Sequence, residues 1–144
     1  MNQTNFPYEA EVEVIFRDVD AMGHVNNAVF FTYMETARVK YVTQVFEKTD
    51  LLDLPLILVK AECNYHSPAL LGEQLVVGIG LTRFGRTSFD LAYRIMVKNG
   101  RLIATGHTVQ VMYDYHSRSP FPIPDEIKAR VQAFQADWQI ETKS

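Results

Sequence analysis

The hydrophobic pattern begins at residues 9–16, where apolar side chains alternate with glutamates. This period of two predicts a half-buried strand. The side chains on its apolar face are Ala10, Val12, Val14 and Phe16. The next segment, residues 17–26, is rich in polar side chains, and we expect a loop there.

A longer apolar repeat follows from about residue 27 to residue 48, with intervals of three and four positions. Such spacing predicts an α-helix of roughly 30 Å. Its apolar residues are Phe30, Phe31, Met34, Ala37, Tyr41, Val42, Val45 and Phe46. A stripe this broad indicates that the helix is buried on several sides.

Strand patterns fill most of the chain after Pro55, which excludes a continuing helix at that point. We predict strands over residues 56–66, 75–84, 88–98 and 102–114. The strand over 88–98 alternates clearly, and the residues on its apolar face are Phe89, Leu91, Tyr93, Ile95 and Val97. The pair Asn99-Gly100 predicts a type I′ hairpin, because both residues tolerate a positive φ. An amphipathic pattern over residues 125–138 predicts a short C-terminal helix. The predicted fold is therefore α+β, with a five-stranded antiparallel sheet curled around one long helix.

Composition and charge narrow the classes of protein that fit this pattern. The chain has 144 residues, which suits one globular domain over residues 1–144. A net charge of −3, without a run of Lys or Arg, argues against a nucleic-acid partner. No apolar stretch reaches the roughly 18 residues of a membrane span, and no leader pattern is visible, so we expect a cytoplasmic protein. The single cysteine, Cys63, excludes an internal disulfide and is expected to be a buried, inert thiol.

The densest group of polar residues lies in the loop before the long helix. Asp18 and Asp20 precede Gly23, and Asn26 and Asn27 come directly before the helix. A carboxylate beside a helix N-terminus is suited to attack on a carbonyl. The free N–H groups stabilise the oxyanion while the carboxylate acts as nucleophile or base. The residues alone leave a second interpretation open, in which the aspartate turns the chain and the asparagines cap the helix.

These residues also carry a family resemblance. The motif Asp18-Val19-Asp20-Ala21-Met22-Gly23 continues into His24-Val25-Asn26-Asn27 and later Tyr33-Met34-Glu35-Thr36-Ala37-Arg38. In this form the chain resembles hotdog-fold acyl-CoA thioesterases, most closely the 4-hydroxybenzoyl-CoA thioesterase-like family. The segments Tyr65–Ala69 and Gly85–Ser88 are similar to a strand end and a turn of that family.

The resemblance implies a hotdog fold, in which the sheet wraps the long helix and protomers join edge to edge into a homodimer or assemble into a homotetramer. It implies an active site at the dimer interface. It also implies an acyl-CoA or acyl carrier protein thioester as substrate, and no metal or bound cofactor. The histidines His24, His66, His107 and His116 are scattered, without the spacing of metal ligands.

The resemblance assigns catalytic roles by position. Asp20 takes the place of the catalytic aspartate, either as a nucleophile or as the base that activates water, and the sequence does not choose between these. Asn27 occupies the position whose backbone N–H polarises the thioester carbonyl. Gly23 permits an unusual backbone angle or a close approach to substrate. His24 is a candidate for orienting Asp20, binding substrate or moving a proton, against the alternative of a hydrogen-bonded loop histidine.

Substrate-binding candidates are more scattered, and each has a structural alternative. Tyr33 and Tyr65 are candidates for lining an acyl pocket, although aromatic residues on a buried helix also form ordinary core. Glu35 is a secondary candidate, with an ion pair to Arg38 as the alternative. The remaining candidates are Asn26, Arg83, Arg86 and Ser88. The arginines among them suit the phosphates of coenzyme A, with solvated surface charge as the alternative.

Three functions fit these residues. The first is a thioesterase that releases free acid and CoA from an acyl- or aroyl-CoA. The second is a hotdog hydratase or dehydratase on acyl thioesters, but the run His24-Val25-Asn26-Asn27 does not resemble the dehydratase motif. The third is a non-catalytic acyl-CoA binding module, against which the presence of Asp20 and Gly23 argues. The sequence therefore favours a thioester hydrolase.

Overall fold

A computed structural model describes residues 5–47 and 55–142 of the chain. The elements of this part are β1 (Tyr8–Glu13), α1 (Val29–Val45), β2 (Leu56–Tyr65), β3 (Gln74–Phe84), β4 (Ser88–Val97), β5 (Leu102–Asp114), β6 (Ser119–Pro120), α2 (Asp125–Phe134) and β7 (Glu141–Thr142). One turn of 3₁₀ helix, Phe16–Asp18, follows β1.

The main sheet is antiparallel and has the strand order β1-β3-β4-β5-β2. The chain leaves β1 at one edge, runs through α1 across the inner face, and returns as β2 at the other edge. This path confirms the predicted α+β hotdog architecture, with five antiparallel strands, one long helix and a short C-terminal helix. Two short strands extend it, because β6 pairs with β5 and β7 pairs with β3.

The core lies between α1 and the inner face of the sheet. The inward residues of β4 are all buried, and they are Phe89, Leu91, Tyr93, Ile95 and Val97. On β5, Gly106 leaves room for the helix, because an added Cβ would overlap Met34 Sδ. The alternation read from the sequence thus places the correct side chains against the helix.

The edge of β3 that faces β1 is only partly covered by that strand, since the pairing with β1 ends at Ile79. Beyond it, the side-chain amide of Gln135 accepts from the Leu81 N–H at 3.1 Å and donates to the Leu81 carbonyl at 2.6 Å. The β7 strand then pairs in parallel with Arg83 and Phe84. A side chain and a short strand therefore complete the edge that β1 leaves open.

Several predicted boundaries need correction. The first strand ends at Glu13 because the Val14 N–H turns to the Glu73 carbonyl, at 2.9 Å. Phe16, expected on the apolar face, is 80% exposed because it begins the 3₁₀ turn. Phe31, expected in the helical stripe, is exposed as well.

The helix predictions differ at their ends. The long helix begins at Val29 rather than at residue 27 and ends at Val45, and residue 48 lies outside the described residues. The C-terminal helix ends at Phe134, four residues earlier than predicted. No helix in the described part of the chain is both long and apolar enough to span a bilayer.

The hairpin between β4 and β5 is where the sequence predicts it, but its turn type is different. Gly100 has a φ of +112°, whereas Asn99 is not among the residues with a positive φ. The Gly100 N–H donates to Val97 O at 2.7 Å, and the Val97 N–H donates to Arg101 O at 2.8 Å. A three-residue loop ending in a positive-φ glycine therefore replaces the predicted type I′ turn, in which both residues would need a positive φ.

Candidate active site

The loop between β1 and α1 is held as a tight turn. The Asp20 N–H donates to the His24 carbonyl at 2.8 Å, and the Gly23 N–H donates to the Asp20 carbonyl at 3.0 Å. Gly23 has a φ of +78°, and a Cβ added there would meet no atom within 4 Å. Glycine is therefore required for its left-handed backbone angle rather than for a close approach.

The Asp20 carboxylate has one oxygen engaged within this turn. Its Oδ1 accepts from the Met22 N–H at 2.9 Å and from the His24 N–H at 3.3 Å. Within the described residues, Oδ2 has no hydrogen-bond partner. Asp20 is therefore able to hold the turn and to act as the reacting carboxylate at the same time, because one oxygen holds the turn and the other is available to a ligand.

The predicted asparagine cap of α1 is wrong, because the N-cap residue is Ala28 and no described side chain caps the helix. Asn26 instead holds the turn before α1, and the backbone amide of Asn27 is left unpaired. The Asn26 Oδ1 accepts from the Ala28 N–H at 2.9 Å, and the Asn26 carbonyl accepts from the Val29 N–H at 2.9 Å. The Asn27 N–H donates to no group in the described part of the chain. It is a preformed donor at the positive end of a helix dipole.

Asp20 and Asn27 line the same cavity, which has a volume of about 300 Å³. Its lining residues are Asp20, His24, Val25, Asn27, Phe30, Tyr65, His66, Ser67 and Pro68. Four of the predicted site residues are thus brought together from the loop, the helix start and the end of β2. Gly23 shapes the turn beside them.

The end of β2 contributes groups on the opposite wall of the cavity. The Tyr65 hydroxyl donates to the Asn27 carbonyl at 2.9 Å, and the Tyr65 ring packs edge-on against Phe30 at 5.4 Å. His66 Nε2 lies 3.2 Å from Thr105 Oγ1. His66 and Ser67 were not predicted as site residues, although they follow Tyr65 directly in the segment that carried the resemblance.

Tyr33 does not line the cavity, because its side chain is only 3% exposed and belongs to the core. Its hydroxyl donates to Asp18 Oδ2 at 2.8 Å. Burial, together with the hydrogen bond and negative charge of Asp18, raises the pKa of Tyr33. Asp18 is therefore paired with this tyrosine.

Glu35 lies on the exposed face of α1 and approaches Arg38 at 4.0 Å. It lines a separate groove with other residues of that face and with Tyr8. Asn26 holds the turn before α1 and is not among the residues that line the cavity. Neither side chain is brought to the cavity within one protomer.

The predicted CoA-binding residues lie at the far end of β3. The loop before α1 is bonded to residues 69–73, which directly precede β3. Arg83 lies near the end of that strand, and Arg86 and Ser88 come after it. At about 3.3 Å per residue, the length of β3 separates them from the loop before α1 by roughly 30 Å. Arg83 also approaches the Asp90 carboxylate at 3.8 Å, whereas Arg86 is an exposed residue of the turn.

The site provides a carboxylate, an unpaired backbone N–H and two imidazoles around one cavity. No group of three or more His, Cys, Asp or Glu side chains within residues 5–47 and 55–142 is arranged to hold a metal ion. The described groups are those needed for nucleophilic or base chemistry at a polarised carbonyl.

Known thioesterases are similar to this chain in sequence and fold. A thioesterase from Thermus thermophilus, solved with coenzyme A and Zn, is 35% identical and has a TM-score of 0.84. The match covers 93% of this chain and 98% of that one. A 1,4-dihydroxy-2-naphthoyl-CoA hydrolase from Synechococcus elongatus is 25% identical over 132 residues, which are 87% of this chain and 95% of that protein.

A 1,4-dihydroxy-2-naphthoyl-CoA thioesterase from Synechocystis has the same fold, with a TM-score of 0.75 and 22% identity. The match covers 86% of this chain and 94% of that one. The sequence profile of the thioesterase-like superfamily matches residues 14–131. That span contains the loop with Asp20, the residues that line the cavity and most of the sheet. The chain therefore belongs to the thioesterase-like superfamily.

Proposed function

We propose that this protein hydrolyses acyl- or aroyl-CoA thioesters to the free acid and CoA, in the cytoplasm. The observation that carries the proposal is the shared cavity of Asp20 and Asn27, in which one carboxylate oxygen and one backbone N–H have no partner among the described residues. Membership of the thioesterase-like superfamily supports the same reaction.

The thioester carbonyl binds with its oxygen at the Asn27 N–H, where the N-terminal end of α1 stabilises the developing negative charge. Asp20 Oδ2 then attacks the carbonyl carbon, or removes a proton from a water that attacks it. In either route the C–S bond breaks and CoA leaves as the thiolate. In the nucleophilic route a water then hydrolyses the anhydride formed between the acyl group and Asp20, which releases the acid and regenerates the carboxylate. The sum is one thioester and one water giving a carboxylate, a thiol and a proton.

His24 contributes to this site through its backbone and its position. Its N–H and carbonyl both bond Asp20, so the backbone of His24 orients the carboxylate. Its side chain lines the cavity, where an imidazole is able to accept or return a proton near neutral pH. The proposal therefore gives His24 an orienting role through the backbone and a proton-transfer role through the ring.

The proposal includes a homodimer formed through β2. This strand pairs only with β5 in the described part of the chain and leaves its other edge open. Ile57, Leu58 and Val59 on it are 38%, 46% and 56% exposed. Because a long apolar edge strand is an aggregation hazard, antiparallel pairing with the same strand of a second copy is the expected cover. Two such dimers form the homotetramer that the resemblance also allows.

Pairing through β2 would make each site a shared one. Tyr65, at one end of β2, contacts the Asn27 carbonyl, while Leu56 at the other end pairs with β5 near the start of β4. Antiparallel pairing therefore brings the Arg86–Ser88 end of the second copy toward the cavity. In this arrangement Arg86 of the second copy meets CoA phosphates that it could not reach within one protomer.

Activity is tested by incubating purified protein with a panel of aliphatic and aromatic acyl-CoAs, and with an acyl carrier protein thioester, while free thiol is followed. The panel includes aroyl-CoAs because a relative is named for one. Thiol release supports hydrolysis. Hydration of an enoyl-CoA without thiol release would indicate a hydratase, and tight CoA binding without either reaction would indicate a binding module.

The assignment of Asp20 is tested with Asp20→Asn and Asp20→Ala. The Asn variant keeps an Oδ1 acceptor for the turn but lacks the charge, and we expect kcat to fall at least about 100-fold. Asp125→Asn, at an exposed carboxylate in the first turn of α2, is the control with unchanged kcat. Near-normal turnover by Asp20→Asn would remove Asp20 from the chemistry. After a single turnover in ¹⁸O-labelled water, label in Asp20 would establish the nucleophilic route, because general-base catalysis forms no bond between water oxygen and Asp20.

The shared site is tested by mixing two inactive variants, Asp20→Asn and Arg86→Glu, after reversible dissociation. If Arg86 acts across the dimer, each mixed dimer contains one intact site. Half the dimers are mixed and half of their sites are intact, so the mixture recovers about a quarter of the wild-type rate. No recovery would contradict the sharing of Arg86 between subunits, and an active species of only 16.5 kDa by sedimentation would contradict the dimer.

A further inference from the structure

The Asp18 carboxylate connects three segments around the catalytic loop. Its Oδ2 accepts from the Tyr33 hydroxyl at 2.8 Å and from the Ile15 N–H at 3.2 Å. Its backbone carbonyl accepts from the Asn26 N–H at 2.9 Å. The start of the loop, the end of the loop and the body of α1 are thus tied together at one residue.

The residues joined in this way stand directly beside the two reacting groups of the proposed function. Asp18 is two positions before Asp20, and Asn26 is the neighbour of Asn27. Tyr33 lies on α1, just over one turn beyond its first residue, and its ring packs edge-on against Phe30 at 5.8 Å. A displacement of Asp18 relative to Tyr33 would therefore alter the separation of carboxylate and amide.

Tyr33 is a fixed anchor for this connection. Its side chain is buried in the core, and the hydroxyl remains a donor over the working pH range because burial and the Asp18 contact raise the pKa of the phenol. The hydrogen bond from a hydroxyl to an ionised carboxylate is stronger than a hydrogen bond between two neutral groups. The link between Tyr33 and Asp18 is of this stronger kind.

Building on the function proposed above, we propose that Asp18 and Tyr33 act together as positioning residues that set the distance between the Asp20 carboxylate and the Asn27 N–H. Neither touches the reacting atoms. The acid at position 18 thus acts through the tyrosine of α1, rather than as a second carboxylate at the carbonyl. Because the geometry of the reacting groups governs kcat more than ground-state binding, loss of this link should lower kcat while KM changes little.

The test compares Tyr33→Phe, Asp18→Ala, Asp18→Asn and the double variant Asp18→Ala/Tyr33→Phe. We expect Tyr33→Phe and Asp18→Ala each to lower kcat about 10-fold, with KM within about twofold of wild type. Asp18→Asn retains an acceptor and should recover most of the activity. The double variant should be no worse than the poorer single variant, because the two residues act as a unit.

The control is Tyr41→Phe on the same helix. The Tyr41 hydroxyl is also buried and donates at 2.6 Å, but to Gln135, away from the loop. Tyr41→Phe should lower the melting temperature and leave kcat of the folded enzyme unchanged. If Tyr33→Phe behaves in the same way, or if Asp18→Asn is as poor as Asp18→Ala, the positioning role is overturned.

A second readout keeps this inference separate from the proposed function. Amide hydrogen exchange of residues 20–27 should increase in Tyr33→Phe and not in Tyr41→Phe. If the wild type releases no thiol from any thioester, the proposed function fails, and the exchange comparison still decides whether the Asp18–Tyr33 link fixes the loop. Equal exchange in wild type and Tyr33→Phe would overturn the link itself.

Discussion

The Tyr65 hydroxyl donates a 2.9 Å hydrogen bond to the carbonyl oxygen of Asn27. This contact joins the end of the edge strand β2 to the residue whose N–H faces the proposed oxyanion. It fixes one peptide group at the start of α1, and the strand that provides it is also the proposed dimer interface. In the proposed function, catalysis and assembly are therefore linked through one side chain.

Tyr65→Phe should reduce turnover without removing the cavity wall. The substitution keeps the ring against Phe30 and deletes only the hydroxyl. Loss of one hydrogen bond worth about 1 kcal/mol predicts a fall in kcat of roughly fivefold to tenfold. Steady-state kinetics on the best thioester of the panel provide the measurement.

The control for this variant is Tyr8→Phe, on β1, whose hydroxyl has no hydrogen bond among the residues described. It should leave both kcat and KM unchanged. An increase in KM with constant kcat in Tyr65→Phe would show that the tyrosine contacts substrate instead, as the sequence first indicated. An unchanged variant would remove it from the site.

Local patterns in the sequence predicted much of this molecule. The alternation in β4 identified its five buried residues because a strand with one face on the core has a strict period of two. The loop with Asp20 and Gly23 was identified because its polar residues interrupt two apolar patterns. The boundary at α1 moved by two residues because Asn26 uses its side chain on the Ala28 N–H before the helix begins.

Contacts between distant segments could not be read from the sequence. Tyr33 was expected near substrate because it is aromatic and belongs to the family motif, but its hydroxyl is taken by Asp18, fifteen positions earlier. His66 reaches the cavity only because the end of β2 lies against the start of α1, where the Tyr65 hydroxyl contacts Asn27. The role of Gln135 depends on β1 being shorter than β3, which no local pattern reveals.

Gln135 should be one of the side chains on which stability depends most. Its Oε1 accepts from the Tyr41 hydroxyl at 2.6 Å and from the Leu81 N–H at 3.1 Å, and its amide nitrogen donates to Leu81 O. Gln135→Leu would leave three buried polar groups unpaired, at a cost of about 3 kcal/mol or more. We expect a decrease in melting temperature of roughly 10 °C, measured by circular dichroism.

Gln135→Glu gives a pH-dependent test of the same contacts. Burial should raise the pKa of the introduced carboxyl above its unfolded value of about 4.3. The folded variant then binds more protons than the unfolded chain, so its stability is greatest below the unfolded pKa and falls as pH rises through the folded pKa. Relative to wild type, the deficit in unfolding free energy should be small at pH 4 and larger at pH 8. If the loss of unfolding free energy in Gln135→Glu were the same at every pH, the side chain at position 135 would be exposed to solvent rather than buried.

Gly106 should tolerate no larger residue while Met34 remains in place. An alanine Cβ there would overlap Met34 Sδ and lie 3.3 Å from the Glu62 carbonyl oxygen. Gly106→Ala should therefore cost about 1–3 kcal/mol, and Met34→Ala about 2–5 kcal/mol through the cavity it leaves. Because the new methyl group fills part of that cavity, the double variant should cost less than the sum. Urea unfolding of the four proteins measures this coupling, and simple additivity would argue against the contact.

Cys63 should react slowly with alkylating reagents in the folded protein. Burial raises the pKa of its thiol, so the folded chain retains the proton to a higher pH than an exposed cysteine, whose pKa is near 8.5. Because only the thiolate reacts, the pH midpoint for alkylation by iodoacetamide should be higher in the native protein than in urea. This is the only cysteine of the chain, so intact mass reports its modification directly.

The raised pKa of the Cys63 thiol also affects stability. Its contribution to the free energy of unfolding is complete below the unfolded pKa and declines as pH rises through the folded pKa. A native midpoint for alkylation at or below that of the unfolded chain would show that this face of β2 is open to solvent.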